Sequence, residues 1–406
     1  MKLLFVCNLF HPEELGGSRY PLEVCTRLAR RGHEVTIVSS RVSPVPSDHL
    51  ESVRRVTYPV IRWHPVTTHV SNIWSARRCV AGLLQTEPWD VILLSSYDVA
   101  VGTLFVPEAR RTPTVFIYHS RFYHPRIHAQ GRERGDLVRW PFIRHSLQTY
   151  MRHLERWTFR RVERIVAVSR FSQREINAVD PGSPSRSVVI PTGVDTERFV
   201  PAADRAAAKA ALGLDPARPL IIGVGRLTPV KRLDRWLHVV AHLPTTLTWQ
   251  GVLLGSGPEE PALRRQAQQL GIASRVAFAG YVPGAAVHRW MQAADLSLCT
   301  SQFENQSLAM LEALACGTPV VGPPVGGIPD TLTAVDQGLV AAEDNIEALA
   351  ACTQRVLEQP PPATQALRER CRQMAVSAYD WEPIVGQLEH LLEEVVDEAA
   401  AVAPTH

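Results

Sequence analysis

Short runs apolar on both faces, separated by stretches with helical spacing, dominate this chain and begin a second time near residue 219. A strand with one wet face alternates apolar and polar residues, so a continuous apolar run needs cover on both sides. A parallel sheet flanked by crossover helices supplies that cover. The first series has runs at 2–7, 34–39, 91–94, 114–118 and 165–169. It includes a turn at Gly16-Gly17 and a helix over about 18–31 that Gly32 stops. The second has runs at 219–224, 248–254, 276–279, 296–299 and 319–321, with helices over 233–243 and 261–269. At 406 residues the chain exceeds one compact core. The pattern predicts an α/β protein of two Rossmann-like domains, 1–198 and 199–379, with the Ala-rich stretch 200–219 at their junction. Apolar spacing over 381–396 predicts a C-terminal helix, about 380–398, that packs back on the first domain.

Composition narrows the class. With 45% hydrophobic and 20% charged residues the chain reads as soluble and globular. No apolar run of about 20 residues predicts a spanning helix. The first eight residues read as a strand rather than a leader. The seven cysteines are scattered and never form a CxxC pair, so a reducing cytoplasm is expected and a zinc site is not. The net charge of +3 hides an asymmetry: residues 1–200 hold 28 Lys/Arg against 18 Asp/Glu, and the remainder 15 against 22. Eleven arginines and four acids fall between Arg121 and Arg164. The first half therefore carries a positive field suited to anionic partners.

Several motifs lie just past strand ends, where open α/β sheets bind ligands. Arg226 and Lys231 follow the run at 219–224; Arg226 can grip phosphate oxygens bidentately, and Lys231 adds a point charge. Gly255-Ser256-Gly257-Pro258 and Gly326-Gly327 are loops where backbone can come close to a ligand. Glu304 and Glu312 are eight residues apart near the start of one predicted helix. That spacing spans about 12 Å and suits a ligand with hydroxyls at both ends. Taken alone, each feature is more often a solvated surface or an ordinary turn than a binding site.

In order, Gly225-Arg226-Leu227 with Lys231-Arg232, Gly255 to Pro258, 276–282, Ala294-Asp295, Glu304 with Glu312, 315–321 and Gly326-Gly327-Ile328-Pro329 closely resemble the retaining glycosyltransferases of family 4. Upstream, Gly16-Gly17, Gly32-His33-Glu34-Val35, Ala167-Val168-Ser169 and 190–195 resemble that family's first half. The resemblance runs from about residue 2 to 395. It implies the GT-B fold, two Rossmann-like domains facing across a cleft. It also implies that Arg226 and Lys231 bind a donor diphosphate and Glu312 the ribose. Glu304 then lies near the transferred sugar, with Asn305, Gln306, Ser307 and Leu308 near its hydroxyls and phosphate. Gly255, Gly257 and Val282 fall among the donor-binding loops. Gly16 and Gly17 let amides approach the diphosphate, and His119 matches the histidine near the donor sugar. Asp98 is a candidate for facing the acceptor.

The expected activity is hexosyl transfer of the EC 2.4 type from a nucleotide-diphosphate sugar, UDP being the commonest family donor, to a hydroxyl acceptor. The alternatives are a sugar-nucleotide epimerase, a phosphorylase or a silent sugar-nucleotide-binding partner. No Asp-x-Asp motif stands at a strand end, so no metal or other cofactor is expected. Asn305-Gln306-Ser307 departs from the family's usual glycine-rich form and leaves donor identity open. The acceptor is unknown; Tyr123, His124 and Arg126 are candidates to contact it. The basic helical stretch 139–164 reads either as a core-facing helix with a solvated face or as contact with an anionic membrane surface, which would place the protein at the inner membrane face. No nucleic-acid module is recognisable.

Overall fold

A computed structural model describes residues 1–8, 16–40, 52–61, 63, 65–120 and 141–402. They form two compact units, 1–191 with 381–406 and 192–380.

The first unit is built on a seven-stranded parallel sheet in the order β3-β2-β1-β4-β5-β6-β7. Its strands are β1 (Lys2–Cys7), β2 (Glu34–Ser40), β3 (Val53–Tyr58), β4 (Val91–Leu94), β5 (Thr114–Tyr118), β6 (Arg164–Ala167) and β7 (Ser187–Val189). Helices α1 (Gly16–Arg30), α2 (Pro65–Thr86), α3 (Tyr97–Leu104), α4 (Pro141–Phe159) and α5 (Arg170–Val179) lie between them. The inner strands bury both faces, so Leu3 and Phe5 join one core while Leu4 and Val6 join another. The C-terminal helix Trp381–Val402 completes the first of these cores with Trp381, Ile384, Val385, Leu388 and Leu392.

The second unit has a five-stranded parallel sheet in the order β10-β9-β8-β11-β12. Its strands are β8 (Leu220–Val224), β9 (Gln250–Leu254), β10 (Val276–Gly280), β11 (Leu296–Leu298) and β12 (Val320–Val321). Around it run α6 (Arg205–Ala211), α7 (Leu233–Ala241), α8 (Glu260–Gln269), α9 (Gly284–Ala293), α10 (Leu308–Ala315), α11 (Ile328–Val335), α12 (Ile346–Leu357) and α13 (Pro361–Tyr379). No described helix is long and apolar enough to cross a membrane.

Two expectations about the join need correction. The second unit begins at Thr192 rather than 199, because Val194 N bonds Tyr379 O at 2.7 Å and Phe199 is fully buried in its core. The stretch 200–219, expected at the junction, lies inside the second unit and is built into it. Asp204 caps α6 by accepting from the amides of Ala206 and Ala207, and Lys209 is 5% exposed, paired with Asp295 at 2.6 Å.

Candidate functional site

β8 ends at Val224, and Gly225 follows with a φ of 148° that only glycine adopts easily. The chain then turns through Arg226 to Thr228, makes one 3₁₀ turn at Pro229–Lys231, and enters α7 through Arg232 in a left-handed conformation, φ 49°. A non-glycine residue there is strained, and such strain marks a position that surrounding structure enforces. Arg226 is exposed and, among the described residues, holds no hydrogen bond or ion pair through its side chain.

Lys231 is held. Its Nζ lies 2.5 Å from Glu304 Oε1, and Ser301 Oγ donates to the same oxygen at 2.8 Å. Burial works to lower the Lys231 pKa, but the Glu304 charge outweighs it, so the ammonium stays above its ordinary value. A cavity of about 20 Å³ beside the pair, lined also by Ser307 and Met310, has room for one water.

Glu304 stands in the irregular segment between β11 and α10, not on the helix with Glu312. The estimate of their separation from helical rise therefore does not apply. The polar stretch 301–307 leaves α10 only eight residues, closed by Cys316 and Gly317. Ser307 is its extended N-cap, and the first-turn amides after it lack partners within the helix. That end carries partial positive charge. Glu312 lies in the second turn and is 7% exposed.

The glycine loops do something other than expected. A Cβ on Gly255 would strike Gly225 O, and one on Gly257 would strike Leu227 O. Leu227 N bonds Ser256 O at 2.9 Å and Glu259 N bonds Leu227 O at 3.1 Å. The close approach those glycines allow is thus to the Arg226 loop. Likewise Gly326 lies on the Glu304 carbonyl, and Gly327 N donates to it at 2.8 Å. Both loops fix the clamp. Gln306 is also committed, accepting the Thr192 amide at 2.5 Å. Asn305 is 6% exposed, and Val282, two residues past β10, is half-buried against the core.

In the first unit His119 follows β5 and packs edge-on to Tyr20, ring centroids 4.8 Å apart. Burial lowers its pKa to about 4, so the ring is neutral near pH 7. Gly16 and Gly17 do not form a separate turn; they are the first residues of α1. Asp98 does not face outward: it is 7% exposed in the first turn of α3. It accepts from Asn8 and Asn72 at 3.2 Å and lies 2.5 Å from His69 Nδ1. The sequence offered no signal for this cluster, whose members come from three separate elements.

In and just after the basic helix α4, several arginines have partners: Arg156 and Arg160 converge with Arg186 on buried Asp180, Arg161 stacks 4.1 Å over Trp157, and Arg164 pairs with Glu398. Tyr150, on this helix, is 52% exposed. Tyr123, His124 and Arg126 lie outside the described residues.

Residues 204–377 match the family described as glycosyl transferases group 1, and 16–198 match glycosyltransferase family 4. A D-inositol 3-phosphate glycosyltransferase of Mycolicibacterium gilvum is 37% identical over 323 residues, 77% of this chain and 71% of that protein. The one from Mycobacterium marinum is 33% identical over 222 residues, 54% of this chain; the match spans about half of that relative's length, 47%. Sucrose-phosphate synthase from Thermosynechococcus elongatus shares the fold at TM-score 0.83 and 20% identity, over 98% of this chain and 99% of that one. Anabaena HepE in complex with UDP-glucose does so at TM-score 0.73 and 19% identity, over 97% and 100%.

Proposed function

This chain belongs to the group 1, family 4 glycosyltransferases and has the GT-B fold; from that premise we propose that it moves a sugar from a nucleotide-diphosphate donor to a hydroxyl, retaining the anomeric configuration. The observation that carries the reading is the Lys231–Glu304 pair beside an exposed Arg226, unpaired among the described residues, and the N-terminus of α10. These groups stand where β8 and β11 end, the ligand-binding edge of a parallel sheet.

The glycosidic C–O bond breaks with its electron pair passing to the diphosphate. Arg226 and Lys231 meet that growing charge with donors already in place. The acceptor oxygen forms its bond on the same face of the sugar, and its proton goes to a donor phosphate oxygen. Glu304 orients Lys231 and serves the sugar; Glu312 serves the ribose. His119 is assigned to the sugar by the family resemblance alone. UDP is the donor we favour, because HepE, a fold neighbour, is named with UDP-glucose. The relatives are named for a phosphorylated inositol; we extend to this chain only the hydroxyl. Arg226 and Lys231 supply the cationic charge that a divalent ion could otherwise bring, so activity is expected to survive EDTA. Loss of activity in EDTA that magnesium restores would overturn metal independence.

A panel of sugar nucleotides, scored for slow release of nucleoside diphosphate, tests the assignment. One donor should be hydrolysed in preference, and Arg226→Ala should abolish that release. A silent binding protein would release nothing from any donor.

A further inference from the structure

The second unit has a recess of about 610 Å³, within the size range of small-molecule sites. Pro201, Arg205, Gly317, Arg368, Arg372 and Gln373 line it. Gly317 precedes β12, and Asp295, bonded to Arg368, precedes β11. The strands are parallel, so the recess lies where they begin, at the sheet edge opposite Arg226 and Lys231.

The charges around it do not balance. Arg205 bonds through Nη1 to Ala294 O and to Thr318 Oγ1, the latter at 2.9 Å. Arg372 bonds the carbonyls of Phe199, Ala315 and Thr196 at 2.7–2.9 Å. Every one of these acceptors is neutral, and among the described residues neither guanidinium is paired with a carboxylate. The nearby acid, Asp295, is already shared by Lys209, Arg368 and the Leu220 amide. Of the lining residues only Glu369 is acidic, and Gln365 donates to it at 2.8 Å. Arg205 uses only Nη1, and Arg368 only Nη2, with its buried Nε unbonded. Each guanidinium has five N–H donors, so both keep donors that no described residue uses. Burial, with repulsion from Arg368, lowers the Arg205 pKa to about 10 despite the attraction of Asp295.

If these arginines served only to tie down the 196–205 segment, hydrogen bonds to carbonyls would suffice and no recess would be needed. We propose that this recess binds a small phosphate-bearing anion, at a site separate from the donor clamp. Planar guanidinium forks match phosphate oxygens in pairs, which favours phosphate over a halide, and its greater charge suits several arginines better than a lone carboxylate does.

Inorganic phosphate is the probe, titrated calorimetrically into the full chain. Gln373 is exposed, so Gln373→Glu adds a negative charge to the wall without disturbing the core. It should weaken binding about fivefold, and Glu369→Gln should tighten it by a similar factor. Arg226→Ala, which removes the donor clamp's exposed cation, should leave this binding in place, and melting curves would confirm that each variant folds. No heat with phosphate, an affinity indifferent to both charge changes, or binding lost in Arg226→Ala would each overturn the proposal.

Discussion

Arg226 and Lys231 differ in what they do for the folded chain, and that difference can be measured. Removing Lys231 leaves Glu304, whose side chain is 13% exposed, without its ion-pair partner. Lys231→Ala is expected to lower both the melting temperature and kcat/KM, the latter by about 10²- to 10³-fold. Arg226→Ala should lower kcat/KM over a similar range with the melting temperature unchanged. Equal thermal losses in the two variants would make Arg226 structural. His119 gives a pH signature. Its folded pKa is about 4 against an ordinary 6.5, so the unfolded chain binds the extra proton first. Its contribution is complete above about pH 6.5 and is lost as pH falls toward 4. Denaturant titrations across that window should be flatter for His119→Asn. At this scale the residue types at the clamp were legible in the sequence, but their hydrogen bonds were not. That Gln306 serves the Thr192 amide and Asp98 serves His69 depends on contacts from distant parts of the chain.

Among the elements, the loops after β8 and β9 form one hydrogen-bonded unit, so a glycine in one should report on the clamp in the other. Gly257→Ala forces a Cβ against Leu227 O. A cost of about 1–3 kcal/mol is expected, together with a raised KM for the donor. A variant with lower stability but an unchanged KM would mean that this loop does not position Arg226. The interior strands were legible because each is apolar on both faces; the 91–94 and 114–118 runs coincide with β4 and β5. The edge strands of the first sheet were not. β3 carries Arg54 and Arg55, and β7 has only three residues, none fully buried. α2 was also missed: its 22 residues mix Thr, His, Ser and Asn with the apolar positions, and its amphipathic signal is weak. The single helix expected for both glutamates failed because Ser307 caps a shorter one.

For the whole molecule, the decisive fact is that the first unit is closed by the last helix. Trp381, Ile384, Val385, Leu388 and Leu392 are each at most 2% exposed. Burying side chains of this size is worth about 1.5–3 kcal/mol each, so together they rival the 5–15 kcal/mol that holds a typical domain. Ending the chain at Asp380 should therefore leave residues 192–380 protected from protease while residues 1–191 are digested. Equal protection of both would contradict the shared core. That the last helix had an apolar face was readable from its spacing, and the structure seats it on the first unit, as expected; which side of the sheet it covers depends on contacts the spacing does not carry.

A ribosome releases this protein in an order its architecture does not follow. Strands 1 to 7 emerge first, yet they lack a wall until the final two dozen residues are made. The middle segment has everything it needs by then and can settle while the opening segment still waits. Maturation runs from the centre outward, and a stalled or nicked product missing only its tail is spoiled at its beginning.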